Sequence, residues 1–406
     1  RRIMRVLFTS PIIEFPAHGG PELRIANTIK ALSRTSDLYI IHQINDPLQQ
    51  NIDSTKSFFN KYTKKYHQVF KRIPDNFFIK IIYKILRRIF SLEPNNVSNE
   101  VIDFVLSNDI DVIWFGYGNI SYPLIKSIKR ALPDIKIVCD TDSVWSRFIS
   151  RELPYTSGIR RLIIKLDTYV KQREEKQWVD ICDITTAVSE VDADYYRSIA
   201  KNQNKIQIFS NVIDMDDYIN IPCAPEGFKT PSIFLAGSYG PNSAMNMAAS
   251  WLLDEVMPII YEQRSDVHLY IVGKASDTEF GDRQDNRVTV TGRVHSVLPY
   301  LFHVKAALVP LKFESGTRFK ILEAGACKTP IVSTTLGAEG IPVKNEEQIL
   351  IADSAEEFAK AIIKIIDNQD LGNLLKENCH ELIKSNYCVE SLSKEADQIL
   401  RILNHD

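Results

Sequence analysis

The chain lacks several features that would place it in a specialised class. Its 406 residues include six cysteines, and none of them forms a CxxC pair. That spacing fits neither a structural zinc site nor a disulfide scaffold, so reduced and mostly buried thiols are expected. No run approaches the roughly 18 uncharged apolar residues that a membrane-spanning helix needs. The net charge of −2 leaves no overall basic excess for nucleic acid. Reduced thiols are typical of cytosolic proteins, so a cytoplasmic location is expected.

Motifs of other enzyme classes are missing too. The segment 237–240 is not G-x-G-x-x-G, which argues against dinucleotide binding. No serine lies in a G-x-S-x-G context, which disfavours a hydrolase. The histidines show no i, i+4 pairing or other ligand spacing, so no metal site and no cofactor are predicted.

Strand-like and helix-like segments alternate along the chain, and the pattern occurs twice. Buried runs such as Met4–Thr9 are followed by amphipathic stretches such as Glu22–Ser33. Such alternation predicts parallel βαβ units, and the proline-rich stretch after residue 210 indicates a domain boundary. We predict an α/β protein with two doubly wound, Rossmann-like domains facing a central cleft, at 1–210 and 211–385. A helix over 386–406 is expected to cross back to the first domain.

Basic and aromatic residues are interleaved from Phe58 to Phe90, inside a predicted helical insertion over about 52–92. A helix with apolar spacing and cationic neighbours can lie flat on an anionic bilayer. This pattern predicts peripheral contact with the inner face of a membrane. The alternative is a solvated insertion whose aromatic side chains pack on the domain, and the sequence leaves both open.

The most informative stretch is Pro310–Ile341, PLKFESGTRFKILEAGACKTPIVSTTLGAEGI. Its pattern predicts a strand, a loop containing a glycine, a helix and a second strand. Free backbone N–H groups and the positive end of the dipole make the start of such a helix an anion site. We therefore predict a diphosphate site at Ser315, Gly316 and Thr317.

Charged residues follow within the same predicted helix. Arg318 offers a fork of donors and Lys320 a point charge to a diphosphate. Glu323 can accept two hydrogen bonds from a ribose diol, as acidic residues do in other nucleotide sites. The helix therefore carries the parts of a nucleoside-diphosphate site.

This block resembles the donor-binding signature of retaining GT-B glycosyltransferases of the group 1, or family 4, type. In that family two glutamates separated by seven residues flank the sugar and the nucleotide. Glu323 matches the second glutamate, whereas Ser315 stands at the position of the first. The form SGTRFKILEA is similar to a subgroup of exopolysaccharide sugar transferases that carries G-T-R-x-K there.

The resemblance implies transfer of a hexose-type sugar from a nucleotide-sugar, with retention, in bacterial glycan biosynthesis. The implied acceptor is a saccharide, a lipid-linked molecule or a protein, and the implied mechanism needs no metal. Domain 1–210 would then take the acceptor side, and domain 211–385 would bind the donor.

Further segments carry the same resemblance. His18-Gly19-Gly20 resembles the family's N-terminal glycine loop, with Arg24 one turn on, although a simple strand-to-helix turn stays open. The segment 210–214 resembles the family's interdomain segment. The segment 234–238 resembles the strand and loop that open the family's C-terminal domain, and the segments 271–274 and 290–294 resemble two strand ends whose loops bracket the base in relatives. Besides the 315–323 block, the predicted donor-binding residues are Gly19, Gly20, Gly237, Ser238, Gly273, Arg293 and Val294.

Two aspartates after a predicted strand complete the candidate site. The stretch 140–145, DTDSVW, resembles the D-x-D-S-x-x-W of the exopolysaccharide subgroup. An aspartate there could orient the acceptor hydroxyl, receive its proton or bind the sugar. The alternative is that both cap the helix that carries Trp145. The predicted catalytic set is Asp140, Asp142, Arg318 and Lys320.

Two other functions remain open at this stage. A sugar-nucleotide 2-epimerase would share the fold and need no acceptor. A non-catalytic GT-B partner subunit would fit the missing first glutamate, since function depends on sites rather than folds.

Overall fold

A computed structural model describes residues 2–17, 19–44, 51–72, 76–93, 96–283, 285–313 and 319–405. The chain divides into two compact units. Unit 1 comprises Arg1–Val212 and Val389–Asp406, and unit 2 comprises Ile213–Cys388. Each unit contains one parallel sheet with its own helices.

Unit 1 is built on seven strands. They are β1 (Arg5–Ser10), β2 (Asp37–Ile44), β3 (Lys65–Phe70), β4 (Val112–Gly116), β5 (Lys136–Asp140), β6 (Ile184–Ala187) and β7 (Ile206–Ile208). The helices between them are α1 (Gly20–Ser33), α2 (Ile52–Phe59), α3 (Phe77–Phe90), α4 (Val97–Ser107), α5 (Tyr122–Ala131), α6 (Trp145–Ser150), α7 (Gly158–Ile181) and α8 (Glu190–Ile199).

The strand order in unit 1 is β3-β2-β1-β4-β5-β6-β7, and every pairing is parallel. Parallel strands are covered on both faces, which explains why β1 and β4 are buried along almost their whole length. The strand order reverses between β1 and β4. Loops that follow these two strands therefore lie where doubly wound folds bind their ligands.

Unit 2 repeats this architecture with six parallel strands. They are β8 (Ser232–Ala236), β9 (His268–Val272), β10 (Val288–Val290), β11 (Ala306–Val309), β12 (Ile331–Ser333) and β13 (Leu350–Ile351). The helices are α9 (Ala244–Trp251), α10 (Met257–Gln263), α11 (Ser276–Phe280), α12 (Leu298–Leu301), α13 (Phe319–Ala326), α14 (Ala355–Asp367) and α15 (Gln369–Asn386). The sheet order is β10-β9-β8-β11-β12-β13, so its reversal falls between β8 and β11.

The last helix, α16 (Val389–His405), packs against α1 and belongs to unit 1. Cys223 is exposed, whereas the other five cysteines are buried. Among the helices of the described residues, none combines the length and the apolar character needed to cross a membrane. The predicted pair of doubly wound α/β domains is confirmed.

The predicted helical insertion over 52–92 is wrong in its middle part. Residues 65–70 form β3, which pairs in parallel with β2 from Tyr39↔Lys65 to Ile44↔Phe70. The sequence KYHQVF favours a strand because aromatic and β-branched side chains suit a pleated surface. Tyr66 Oη and His42 Nδ1 of β2 share a 2.7 Å hydrogen bond, which holds the edge strand in register.

Two glycines at the carboxyl edge of the second sheet approach each other closely. Gly273 has φ +130°, and a Cβ added there would lie 2.0 Å from the carbonyl oxygen of Gly237. The Gly237 amide donates to the Val272 carbonyl at 3.0 Å. Glycine is therefore needed at position 273 for both its backbone conformation and its lack of a side chain.

We predict that Gly273→Ala destabilises unit 2 by roughly 1–3 kcal/mol, because alanine adds backbone strain and a clash with backbone. Gly240→Ala is the matched control, since a Cβ at Gly240 meets no atom within 4 Å. Urea denaturation of both variants measures the difference. Identical midpoints would contradict the packing described.

Candidate functional site

A buried arginine organises the carboxyl edge of the first sheet. Arg24 of α1 donates to the carboxylate of Asp140 at the end of β5, and to the Thr141 carbonyl at 3.0 Å. A second guanidinium nitrogen donates to the Asn211 side chain at 2.6 Å. Both members of the ion pair are buried. A buried charge is tolerated when it is paired and hydrogen-bonded, which is the case here.

The Asp140 carboxylate is fully engaged by its neighbours. Besides Arg24, it accepts from Thr186 Oγ1 at 2.8 Å on one oxygen and from Trp114 Nε1 at 3.2 Å on the other. These contacts favour a structural role for Asp140 and Arg24. Neither group has the exposure that an acceptor hydroxyl would require.

Asp142 has a different environment, two residues further along. Its Oδ1 accepts from Asn119 Nδ2 at 2.6 Å and from Trp145 Nε1 at 3.1 Å. Burial raises the pKa of the Asp142 carboxyl, and the two hydrogen bonds oppose that rise in part. The residue itself is partly exposed. Asp142 is thus held in one orientation and is the more accessible member of the pair.

The alternative that the aspartates cap α6 is not what the structure shows. The N-cap of α6 is Val144, without a side-chain cap. The backbone N–H of Ser146 instead donates at 3.0 Å to Glu175, a buried residue of α7. Asp142 therefore does not cap α6, and its carboxylate is available to other partners.

The loops after β1, β4 and β5 meet at the switch point of unit 1, because these strands are neighbours in the sheet. Gly19 is the N-cap of α1, and Gly20 begins the helix. Tyr117, after β4, is buried and has φ +56°. Burial and then the negative charge of Asp142 raise the pKa of the Tyr117 hydroxyl. Gly19 and Gly20 thus lie at the same edge as Asp142, while His18 lies outside the described residues.

In unit 2, a cavity opens at the carboxyl ends of β8 and β11, where the strand order reverses. Lys320 and Glu323, one helical turn apart on α13, line it together with residues of β8, β11 and α12. Glu323 Oε1 accepts from Tyr218 Oη at 3.1 Å. Tyr218 ends a short 3₁₀ helix, Met215–Tyr218. A cation and a carboxylate therefore share one cavity at the position where α/β folds bind ligands.

The electrostatics of Glu323 follow from its surroundings. Burial raises the pKa of its carboxyl, while the Tyr218 hydrogen bond and the charge of Lys320 pull it down. Burial thus disfavours the ionised form of this carboxyl, and an added hydrogen-bond donor would stabilise that form. The sequence predicted Glu323 but gave no indication of Tyr218.

The other described residues predicted to bind the donor in unit 2 are not among the residues that line the cavity. Gly237 and Gly273 contact each other through backbone, Ser238 and Arg293 are exposed, and Val294 is partly buried. The remaining predicted residues, Ser315, Gly316, Thr317 and Arg318, lie outside the described residues. The structure therefore brings together Lys320 and Glu323 of the predicted block.

The two Rossmann-like units have a fold of the GT-B type. Residues 230–368 match the family described as Glycosyl transferases group 1. The matched range lies within unit 2 and includes β8, β11 and the cavity residues of α13. This part of the chain is thus similar to group 1 glycosyltransferases, which supports the resemblance noted in the sequence.

Three similar proteins illustrate the range of relatives. An uncharacterized 44.6 kDa protein in the cps region of Klebsiella pneumoniae is 24% identical over 38% of this chain and 42% of its own length. An uncharacterized glycosyltransferase of Methanocaldococcus jannaschii is 28% identical over 35% of this chain and 38% of its own length. The chain therefore spans about two-fifths of the length of these curated relatives.

The third is a solved structure, Anabaena HepE in complex with UDP and glucose. It has a TM-score of 0.66 and 11% sequence identity, and the match covers 98% of this chain and 99% of that chain. At this identity the likeness concerns the fold.

We predict that Arg24→Met lowers the free energy of unfolding of unit 1 by about 3–5 kcal/mol, because the Asp140 charge is then buried without its partner. Arg34→Met is the control. Arg34 pairs with Glu390 in water, and exposed pairs contribute about 0.2–1 kcal/mol. Urea denaturation followed by tryptophan fluorescence reports the change, since Trp114, Trp145 and Trp178 lie in unit 1. Equal midpoints for the two variants would refute the structural role.

Proposed function

We propose that this chain is a glycosyltransferase that transfers a hexose-type sugar from a nucleotide-sugar to a glycan, lipid-linked or protein acceptor, with retention. Bacterial glycan biosynthesis and the cytoplasm are the proposed setting. The observation that carries the proposal is that Lys320 and Glu323 both line the switch-point cavity of unit 2. That cavity lies inside the range matched to the group 1 glycosyltransferase family.

Glu323 is proposed to hold the nucleoside. One carboxylate oxygen is fixed by Tyr218, which sets the plane of the group before a ligand arrives. A ribose diol would donate two hydrogen bonds to the ionised carboxylate. Hydrogen bonds to charged groups contribute about 1.5–3 kcal/mol each, so this contact would supply much of the nucleotide affinity.

Lys320 is proposed to act on the diphosphate. It lies near the start of α13, where the backbone N–H groups and the helix dipole favour an anion. Negative charge grows on the diphosphate as the bond to the sugar breaks, and a cation placed beforehand stabilises that charge. Arg318 and the backbone at 315–317 are proposed to share this work, without a metal ion or another cofactor.

The donor is proposed to be a uridine diphosphate sugar. Anabaena HepE, which shares the fold, was crystallised with UDP and glucose. Base recognition is proposed for the loops that hold Arg293 and Val294, after β10. The sugar itself and the linkage are not specified by these contacts.

In unit 1, Asp142 is proposed to orient the acceptor hydroxyl and to take up its proton. Asn119 and Trp145 occupy Oδ1, which leaves Oδ2 with the longer contact from Ser143 Oγ at 3.4 Å. A carboxylate with a raised pKa is a better proton acceptor than an ordinary aspartate. Asp140 is not proposed for this role, because its oxygens are bound by Arg24, Thr186 and Trp114.

We expect Glu323→Gln to weaken UDP binding by roughly ten- to a hundredfold, because the amide lacks the charge that strengthens both ribose hydrogen bonds. Isothermal titration calorimetry with UDP measures this change. Below the raised pKa of Glu323, protonation should weaken binding by the wild type. Affinity should therefore fall as the pH falls through that pKa, and Glu323→Gln should lack this part of the pH dependence.

Glu356→Gln is the matched control, since Glu356 is exposed on α14 of the same unit. Binding of UDP with unchanged affinity by Glu323→Gln would contradict the ribose assignment. No binding of any nucleoside diphosphate by the wild type would favour the non-catalytic partner instead. Turnover of the nucleotide-sugar into an epimer without an acceptor would favour the 2-epimerase.

Asp142→Asn is expected to lower kcat by roughly 10²–10⁴-fold, the usual contribution of a positioned acid or base. UDP affinity should stay at the wild-type value, because Asp142 lies in unit 1 and not in the cavity of Glu323. The wild-type rate should rise with pH through the raised pKa of Asp142, and the variant should lose that limb. An unchanged rate would remove Asp142 from the mechanism.

A further inference from the structure

Two helices of unit 1 carry apolar side chains that face solvent. On α7 they form one stripe at spacings of three and four residues, which we call the α7 stripe: Ile159, Leu162, Ile163, Leu166 and Tyr169. This is the spacing of a helix face that is normally buried. Each of these side chains is at least half exposed.

A second exposed face lies on α3. Tyr83 is buried against the unit and donates to Glu93 at 2.9 Å, which fixes the side of α3 that is attached. The α3 face consists of the apolar side chains that remain exposed: Phe77, Phe78, Ile79, Ile81, Ile82 and Ile85. Contiguous exposed apolar surface on this scale marks an interaction site.

The exposed apolar surface differs from the membrane contact predicted over Phe58–Phe90: it covers only part of that segment and includes residues outside it. Phe59 is buried, and Phe58 stacks on Phe15 with ring centroids 3.6 Å apart, so α2 packs on the unit. Tyr66 belongs to β3 and bonds to His42. Of the predicted segment, α3 holds most of the exposed apolar surface, and the α7 stripe lies outside the segment altogether.

The two helices are joined where α3 ends. Ser91, the C-cap of α3, donates to Glu174 of α7 at 3.2 Å. Arg87 donates to the Ile120 carbonyl at 3.3 Å. The α3 face and the α7 stripe thus belong to one unit and are connected through direct contacts.

Charge identifies the partner that fits these faces. Residues 77–90 contain four basic residues and no acidic one, and residues 158–169, which span the α7 stripe, contain three basic residues and one acidic one. The whole chain has a net charge of −2, so the positive charge is local to these helices. Apolar side chains among cations match an anionic lipid surface, where the rings and aliphatic chains enter the acyl boundary and the cations meet phosphates.

A second copy of the chain fits less well. A symmetric dimer brings the same patch of both subunits together, which would place these cations against their own copies. We propose that the α3 face and the α7 stripe together dock unit 1 on an anionic lipid bilayer. This proposal is independent of the nucleotide site, since it concerns other residues in another unit.

Flotation of the full chain with vesicles tests the proposal. The wild type is expected to float with vesicles of phosphatidylcholine and phosphatidylglycerol, and much less with phosphatidylcholine alone. Added potassium chloride should release the protein, because salt screens the attraction between the cations and the lipid phosphates. A wild type that stays unbound with the anionic vesicles at low salt overturns the proposal.

Variants identify the surface. Leu162→Glu should lower the partition coefficient by roughly tenfold, the cost of leaving one leucine-sized group out of the apolar boundary. Leu106→Glu is the matched control, because Leu106 on α4 is 61% exposed and Leu162 is 62% exposed. Phe78→Glu should act like Leu162→Glu on the other helix. Equal flotation of Leu162→Glu and Leu106→Glu contradicts the proposal.

Two further measurements keep the outcome decisive. Lys165→Glu changes an exposed cation beside the stripe, so it should weaken binding to anionic vesicles and leave the melting temperature unchanged. Light scattering without vesicles detects self-association. A dimer that Leu162→Glu dissociates would show that a second copy covers the stripe, and the lipid proposal would then be wrong.

Discussion

The buried guanidinium of Arg24 is the constraint on which the organisation of unit 1 depends. Its hydrogen bonds join α1 to Asp140 at the end of β5 and to the next residue, Thr141. They also join α1 to Phe209 and Asn211 after β7. A buried cation cannot keep its water, so each of these partners must stay in place for the charge to be tolerated. The pair therefore fixes three separate segments of chain at one edge of the sheet. Asp142, two residues beyond Asp140, is held by other partners, the side chains of Asn119 and Trp145.

Among the described residues, unit 2 has no comparable buried ion pair at its switch point. Its edge is closed by backbone, where Gly237 and Gly273 approach too closely for any side chain. The charged groups at this edge, Lys320 and Glu323, line a cavity instead of holding segments of the unit together. Glu323 has a hydrogen bond from Tyr218 and a pKa raised by burial, which is typical of a group whose environment is completed by a ligand. The sheet edge of unit 1 thus stabilises the fold, whereas the sheet edge of unit 2 is suited to bind a ligand.

The sequence predicted most of the architecture because parallel strands are buried on both faces and appear as short apolar runs. β3 was missed because an edge strand such as KYHQVF is half polar and resembles an amphipathic segment. Lys320 and Glu323 could be found from local spacing on one helix. Tyr218 could not, since it reaches Glu323 across 105 positions of sequence. The same limit separates Asp140 from Asp142, because the partners that distinguish them, Arg24 and Asn119, lie on other elements.

The exposed apolar helices bear on the choice of acceptor. Exposure of the apolar α7 stripe to water is unfavourable. Lipid contact would lower the free energy by roughly 25 cal/mol for each Å² of apolar surface that it covers. If unit 1 docks on a bilayer, an acceptor anchored in the same membrane is confined near the protein, and its effective concentration rises without any added contact. A soluble acceptor gains nothing from such docking. The two proposals are independent in evidence, but together they favour a lipid-linked acceptor over a free saccharide.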